Sequence, residues 1–234
     1  MRHGRLLAFI FLLAAALLLS GSAFADSMVF NGPGGNNSGG VYTFPYDFTV
    51  NGQSMQLLCD SFDNEIVSGE TWKATENSIP GSGRLFDPGL SGNYAAAGLI
   101  FDTIVGANGV ALSGVTANSS DANWAIWALF SSNALADITP GNASSPFGTA
   151  GDPNALAYYN AALAAAVGAP STDFTGIIVY TPEAGTQSGN HGTPQEFLGL
   201  DPMPEPGEFS YLGILALVGA GAFVFRKRFA FERP

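Results

Sequence analysis

Cys59 is the only cysteine in the chain, so no intramolecular disulfide can form. As a nucleophile it would need a base, but the histidines are His3 and His191, and nothing in the sequence sets His191 beside it. The same shortage leaves no His/Cys zinc site. The bland alternative is a small, buried, inert side chain. Directly after the cysteine runs an oxygen-rich stretch containing Asp60, Asp63, Asn64 and Glu65. These are calcium-ligand types without the Asp-x-Asp-x-Asp-Gly spacing of a dedicated loop, so Asp60, Asp63 and Glu65 form a candidate set while no metal or cofactor is expected. Trp72, Trp124 and Trp127 offer faces that stack on the apolar side of a sugar ring, or that pack a core. Asn123 stands near a helix start, where its amide can satisfy free backbone N–H groups. Carboxylates are plentiful, but no pair or triad among them is visibly positioned, so catalysis is not expected.

The elements that must position these residues read as strands, then helices, then strands. Residues 26–40 are Gly/Asn/Ser-rich and read as a mobile lead-in, with 28–30 able to pair as a short strand. Residues 41–50 are β-branched and aromatic, with Pro45 marking an edge or a bulge. Asn51-Gly52 is a strong hairpin signal, and 53–60 returns as the second strand, with Met55, Leu57 and Cys59 on one face and Gln56 and Leu58 on the other. A third strand is expected at 71–75. Asn93 is expected to cap a buried helix that Gly106 stops. A second helix starts at Ser119 or Ser120 and runs to about 131. A third starts at Asp152-Pro153, where Asp caps and Pro suits the first helical position, and ends at Gly168 and Pro170. Strands at 174–181 and 195–200 close the domain around a loop at 182–194. The expected fold class is α+β, a β-sandwich or barrel with a helical insert.

Charge narrows the partners. Between residues 26 and 203 only Lys73 and Arg84 are cationic, against 16 carboxylates, for a net charge of −14. Nucleic-acid binding is not expected, because neutralising phosphates takes Lys and Arg. The remaining cations gather at the two ends. Arg2, His3 and Arg5 precede an apolar run at 6–19 and the small-residue site Ala23-Phe24-Ala25, the pattern of a signal peptide over 1–25. At the other end Pro204, Glu205 and Pro206 cannot enter a helix or sheet interior, since two of the three are proline. An uncharged run at 209–225 follows, at the short end of a bilayer span, and then Arg226, Lys227 and Arg228, a basic stop.

Those three elements in that order, over residues 204–234, resemble the PEP-CTERM sorting signal. The resemblance implies recognition by an exosortase-type processing enzyme, transient anchoring in the inner membrane, and cleavage near Pro204-Glu205-Pro206. Delivery to the outer surface or extracellular matrix of a Gram-negative-type bacterium would follow.

The exported part, 26–203, has a resemblance of its own. Leu57-Leu58-Cys59-Asp60 at a strand end, together with Asp121-Ala122-Asn123-Trp124-Ala125-Ile126-Trp127 at a helix start, resembles the Cys-Gln thioester domain of bacterial surface adhesins. That resemblance implies a Cys59–residue 123 pair, a thiol and a carboxamide condensing with loss of ammonia into an electrophile that target amines open. Here Asn123 stands where the family has Gln, one methylene shorter, so the carbonyl is expected to fall short of the thiol. The function read from all this is a non-enzymatic surface or matrix protein, adhering to or associating with exopolysaccharide. The alternatives are a covalent adhesin using Cys59 and a matrix polymer hydrolase.

Overall fold

The computed structural model describes residues 25–189 and 192–202. Residues 1–24 of the expected signal peptide (1–25), His191, Pro204-Glu205-Pro206, the span at 209–225 and the cluster Arg226, Lys227 and Arg228 lie outside the described residues. Among the described residues no helix is long and apolar enough to cross a membrane.

The chain is α+β, a closed antiparallel barrel with a helical layer inserted between two of its strands. Strands β1 (Asp26–Pro33), β4 (Tyr46–Val50), β5 (Gln53–Cys59), β6 (Thr71–Ser78), β7 (Ile177–Pro182) and β8 (Phe197–Leu200) close in the order β1-β4-β5-β8-β7-β6. The Asn51-Gly52 hairpin forms as its residue types dictate. Val50 pairs with Gln53, and Asn51 and Gly52 both take positive φ, the geometry that matches the twist of two adjacent strands. Along β4 the inward Tyr46, Phe48 and Val50 alternate with Asp47 and Thr49.

Two strand expectations are corrected. Residues 26–33 are not a lead-in but a full barrel strand, hydrogen-bonded to β4 on one side and β6 on the other. Its Gly/Asn-rich composition hid this, because Gly32 serves a bulge opposite Asp47 rather than a loop. The stretch 41–50 is not one strand. Pro45 splits it, leaving β4 in the barrel and β3 (Val41–Tyr42) paired with β2 (Asn37–Ser38) in a small separate hairpin. That hairpin lies over Trp124, whose indole N–H donates to Ser38 O at 3.3 Å.

Four helices fill the insert: α1 (Asn93–Val105), α2 (Ser119–Phe130), α3 (Ser132–Ile138) and α4 (Pro153–Ala166). Asn118 caps α2 and Asp152 caps α4 through their side chains. Asn93 does not cap α1. It is the first helical residue, and its amide reaches across to the carbonyl of Leu129. The short α3 was not expected from the sequence. It follows α2 at once because Ser131 ends one helix and its hydroxyl caps the next. Helix α2 is buried on nearly all sides and is the hinge of the architecture. Trp124, Trp127 and Ala128 pack against the barrel core, while Ala125, Ile126 and Leu129 pack among the helices.

Candidate functional site

The end of β5 sorts its residues by strand alternation. Leu57 and Cys59 enter the barrel core, whereas Leu58 points to the helical layer. Both cores are close-packed, so the Cys59 thiol has no route to solvent and is fully buried. Its Sγ accepts from the Ser61 N–H at 3.4 Å and faces the Ser61 carbonyl at 3.6 Å. Burial, then the neighbouring Asp60 carboxyl, pushes the thiol well above its usual range, against a smaller opposing pull from the Trp127 indole and the Ser61 backbone. This is a protonated, unreactive thiol.

Asn123 comes to the same place from α2. Its Oδ1 accepts from the Phe44 N–H at 2.7 Å, and its Nδ2 donates to the Cys59 carbonyl at 2.9 Å. The structure therefore brings Cys59 and Asn123 together, but through the backbone of Cys59 rather than its sulfur. Both ends of the carboxamide are committed to pinning α2 onto the lead into β4 and the end of β5. Asn123 lies one helical turn inside the Asn118 cap, so the cap role suggested by its position falls to Asn118 instead.

One residue further along, Asp60 and Glu196 alternate away from the barrel core. Glu196 is fully buried and collects donors from three elements: the Leu85 N–H at 2.8 Å, the Tyr94 hydroxyl and the Thr181 hydroxyl. Asp60 is equally buried. Its Oδ1 accepts from the Ser61 hydroxyl at 3.0 Å, while Oδ2 meets no N–H or O–H donor. Burial, then the charge on Glu196 and a hydrogen bond to it, holds the Asp60 carboxyl well above the ordinary carboxylate range. Asp60 is therefore the protonated acid, and its otherwise bare Oδ2 is the atom free to carry the proton. The nearby cation Arg84 does not relieve the pair. Its guanidinium pairs with Asp87 and the Gly81 carbonyl and stacks 4.0 Å over the Tyr94 ring, while its Nη1 meets no hydrogen-bond partner.

Between the barrel mouth and the β2–β3 hairpin opens a groove of about 600 Å³. Phe30, Tyr42, Tyr46, Phe62 and Trp127 supply aromatic surface to it, and Asn64, Glu65, Ser68 and Gln195 supply polar groups. Tyr42 is 56 % exposed, although it is a large aromatic side chain. Gln195 is held rigidly, its Nε2 donating to the Ser61 and Asn64 carbonyls, and among the described residues its Oε1 accepts no hydrogen bond. The side chains of Asn64 and Glu65 are likewise without partners among the described residues. A mostly apolar cleft with a few fixed and unengaged polar groups is the usual form of a ligand site.

The sequence candidates divide accordingly. Trp72 is not a ligand platform. Its ring lies inside the barrel, edge-on to Phe48 at 5.7 Å and stacked near Phe197 at 6.3 Å. Trp124 is buried between Phe62 and Phe147 beneath the hairpin. Trp127 alone of the three reaches the groove. Asp60, Asp63 and Glu65 do not converge on a cation position: Asp60 is sealed against Glu196, while Asp63 is exposed and accepts from Asn133. No cluster of three such ligands occurs among the described residues.

The sequence does not single out Glu196, Gln195, Phe30 or Phe62 as functional residues, nor the contact of Tyr94 with Glu196. Glu196 and Asp60 are 136 positions apart in the chain, so no local spacing ties them. The one available signal was the Gln195-Glu196 pair set directly against the apolar strand that follows.

No family model matches the chain, and no curated protein matches it. Among solved structures, the chain is similar to the N-terminal domain of the Streptococcus pyogenes pilus tip adhesin Cpa, at 12% identity and a TM-score of 0.37 over 79% of this chain and 97% of that one. It is also similar to the N-terminal thioester domain of the fibronectin-binding protein SfbI from Streptococcus pyogenes, at 11% identity and a TM-score of 0.39 over the same shares of the two chains.

Proposed function

We propose that this chain is an exported, non-enzymatic surface or matrix protein whose barrel domain holds a polymer chain non-covalently in the aromatic groove. The observation that carries the reading is the groove itself: the exposed Tyr42 ring, the half-buried Phe62 ring, the buried rings of Phe30, Tyr46 and Trp127 in its lining, and a rigid Gln195 whose carboxamide oxygen is unengaged among the described residues. Aromatic faces stack on the apolar side of sugar rings, and fixed amides read their hydroxyls. Exopolysaccharide is the partner this chemistry suits. The groove has a single carboxylate, Glu65, and the acid pair Asp60–Glu196 is sealed from it, which favours binding over hydrolysis.

The state of the Cys59–Asn123 pair favours non-covalent attachment. A carboxamide already engaged at both ends, beside a protonated thiol turned to Ser61, is not poised to condense. Sorting through residues 204–228 by an exosortase-type enzyme is part of the same proposal and rests on the order of motif, apolar run and basic cluster in the sequence.

Replacing Tyr42 by alanine tests the groove, because this exposed ring contributes little to the core. Binding to purified exopolysaccharide is expected to weaken by roughly tenfold, in line with the loss of one stacking ring. Unchanged binding would remove the groove from the proposal. Intact mass of the protein recovered from its native envelope tests the rest. The expected chain starts at Asp26, ends near Pro206, and carries one thiol that alkylates only after unfolding. A mass lacking one ammonia would establish the covalent alternative, and a chain retaining 209–234 would overturn the sorting reading.

A further inference from the structure

The composition of the groove says more than that a sugar would stack there. Its only charged side chain is Glu65, and neither domain cation lines it. Within the described residues Glu65 has no hydrogen-bond donor or ion-pair partner, and Gln195 Oε1 is a second fixed acceptor with none. The same groove is lined by the exposed ring of Tyr42, the half-buried ring of Phe62 and the buried rings of Phe30, Tyr46 and Trp127. Aromatic faces carry negative potential and attract ammonium groups, most strongly when a carboxylate shares the site. The field of the whole domain has the same sign, with a net charge of −14 over residues 26–203. An anionic chain entering this cleft would meet repulsion at long range and find no cation at contact.

We infer that the groove selects glycan chains bearing protonated amines, such as a polymer of partly or fully deacetylated hexosamine, with Glu65 as the specificity-determining residue. In this arrangement the sugar rings stack on Tyr42 and Phe62, and the ammonium group donates to the Glu65 carboxylate. The inference rests on the groove being the binding site. It adds to that reading a preference between otherwise similar chains.

The test measures binding of the full-length protein in mild detergent to three oligosaccharides of equal length. One is a fully deacetylated glucosamine oligomer, one its N-acetylated counterpart, and one a uronate oligomer. The amine form is expected to bind tightest, with the acetylated form roughly tenfold weaker, the scale of a lost cation–aromatic and charge contact. The uronate is expected not to bind. Glu65→Gln is expected to erase the difference between the first two. Equal binding of the amine and acetylated forms overturns the selectivity while the groove reading stands. Loss of all binding in the acetylated and amine forms alike removes both. If the amine form binds tightest but Glu65→Gln leaves it untouched, the attraction is a diffuse effect of net charge and the assignment of Glu65 fails. Preference for the uronate overturns the inference outright.

Discussion

The groove and the sealed acid layer share a wall yet obey opposite rules. Gln195 and Glu196 are adjacent in sequence, but one opens its carboxamide oxygen to the cleft and the other buries its carboxylate under three donors. The segment from Asp60 to Ile66 does the same, with Asp60 inside and Asn64 and Glu65 at the groove. On the buried side, Glu196 is ringed by donors and Asp60 keeps its proton, because an unsatisfied carboxylate there costs several kcal/mol. On the open side, polar groups are left unengaged, because water meets their needs until a ligand does. The contrast separates structural polarity from functional polarity by whether a group's partners lie within the chain.

That contrast is most easily broken at Asn123. Asn123→Ala removes the acceptor for Phe44 N–H, which is part-buried, and the donor to Cys59 O, which is fully buried. Two orphaned backbone groups predict a loss of about 3 kcal/mol in unfolding free energy, read by urea denaturation. A loss under about 1 kcal/mol would mean the site is wet, and the sealed layer would not be sealed.

Next in size is the proton on Asp60. The Asp60 carboxyl is raised in the folded state, so the folded protein holds a proton that the unfolded chain releases near pH 4. Stability is therefore full below that pH and falls as pH rises from there to the folded value, by up to about 1.4 kcal/mol per pH unit. Asp60→Asn keeps a donor toward Glu196 and removes the titration. Thermal unfolding across pH 5 to 8 is expected to show wild type losing stability with rising pH and the variant holding level. Parallel curves would place the proton elsewhere, and the pairing of Asp60 with Glu196 would need another explanation.

How far the sequence announced these two regions follows from the range over which each is built. The Asn51-Gly52 turn, the Asp152-Pro153 helix start, the Gly106 stop and the split of Leu57 and Cys59 from Leu58 are local, and residue types within a few positions determine them. The meeting of Cys59 with Asn123 was legible only through paired motifs. The form of that meeting, a carboxamide clamp on backbone, depends on side-chain reach that spacing does not reveal. Strand β1 was obscured because Gly and Asn serve bulges as readily as loops. The acid pair and the groove join residues from four or five separate elements, and burial turned Trp72 and Trp124 from candidate platforms into core. Chemistry assembled by the fold of distant segments leaves no periodic trace in the chain.

The smallest expected effect sharpens the comparison most. Glu65→Gln alters an exposed side chain with no partner among the described residues, so its unfolding free energy is expected to stay within about 0.5 kcal/mol of wild type. Asp60→Asn, only five residues earlier, changes stability and its pH dependence but leaves the groove lining intact. The two variants make the same chemical change, carboxylate to carboxamide, on opposite sides of one wall. If the sides are as distinct as their partners imply, thermal unfolding separates wild type from Asp60→Asn and not from Glu65→Gln, while oligosaccharide binding ranks them the other way. A Glu65→Gln variant that shifts the melting curve as much as Asp60→Asn would show that Glu65 is engaged with the protein itself, and its claim to be a ligand contact would lapse.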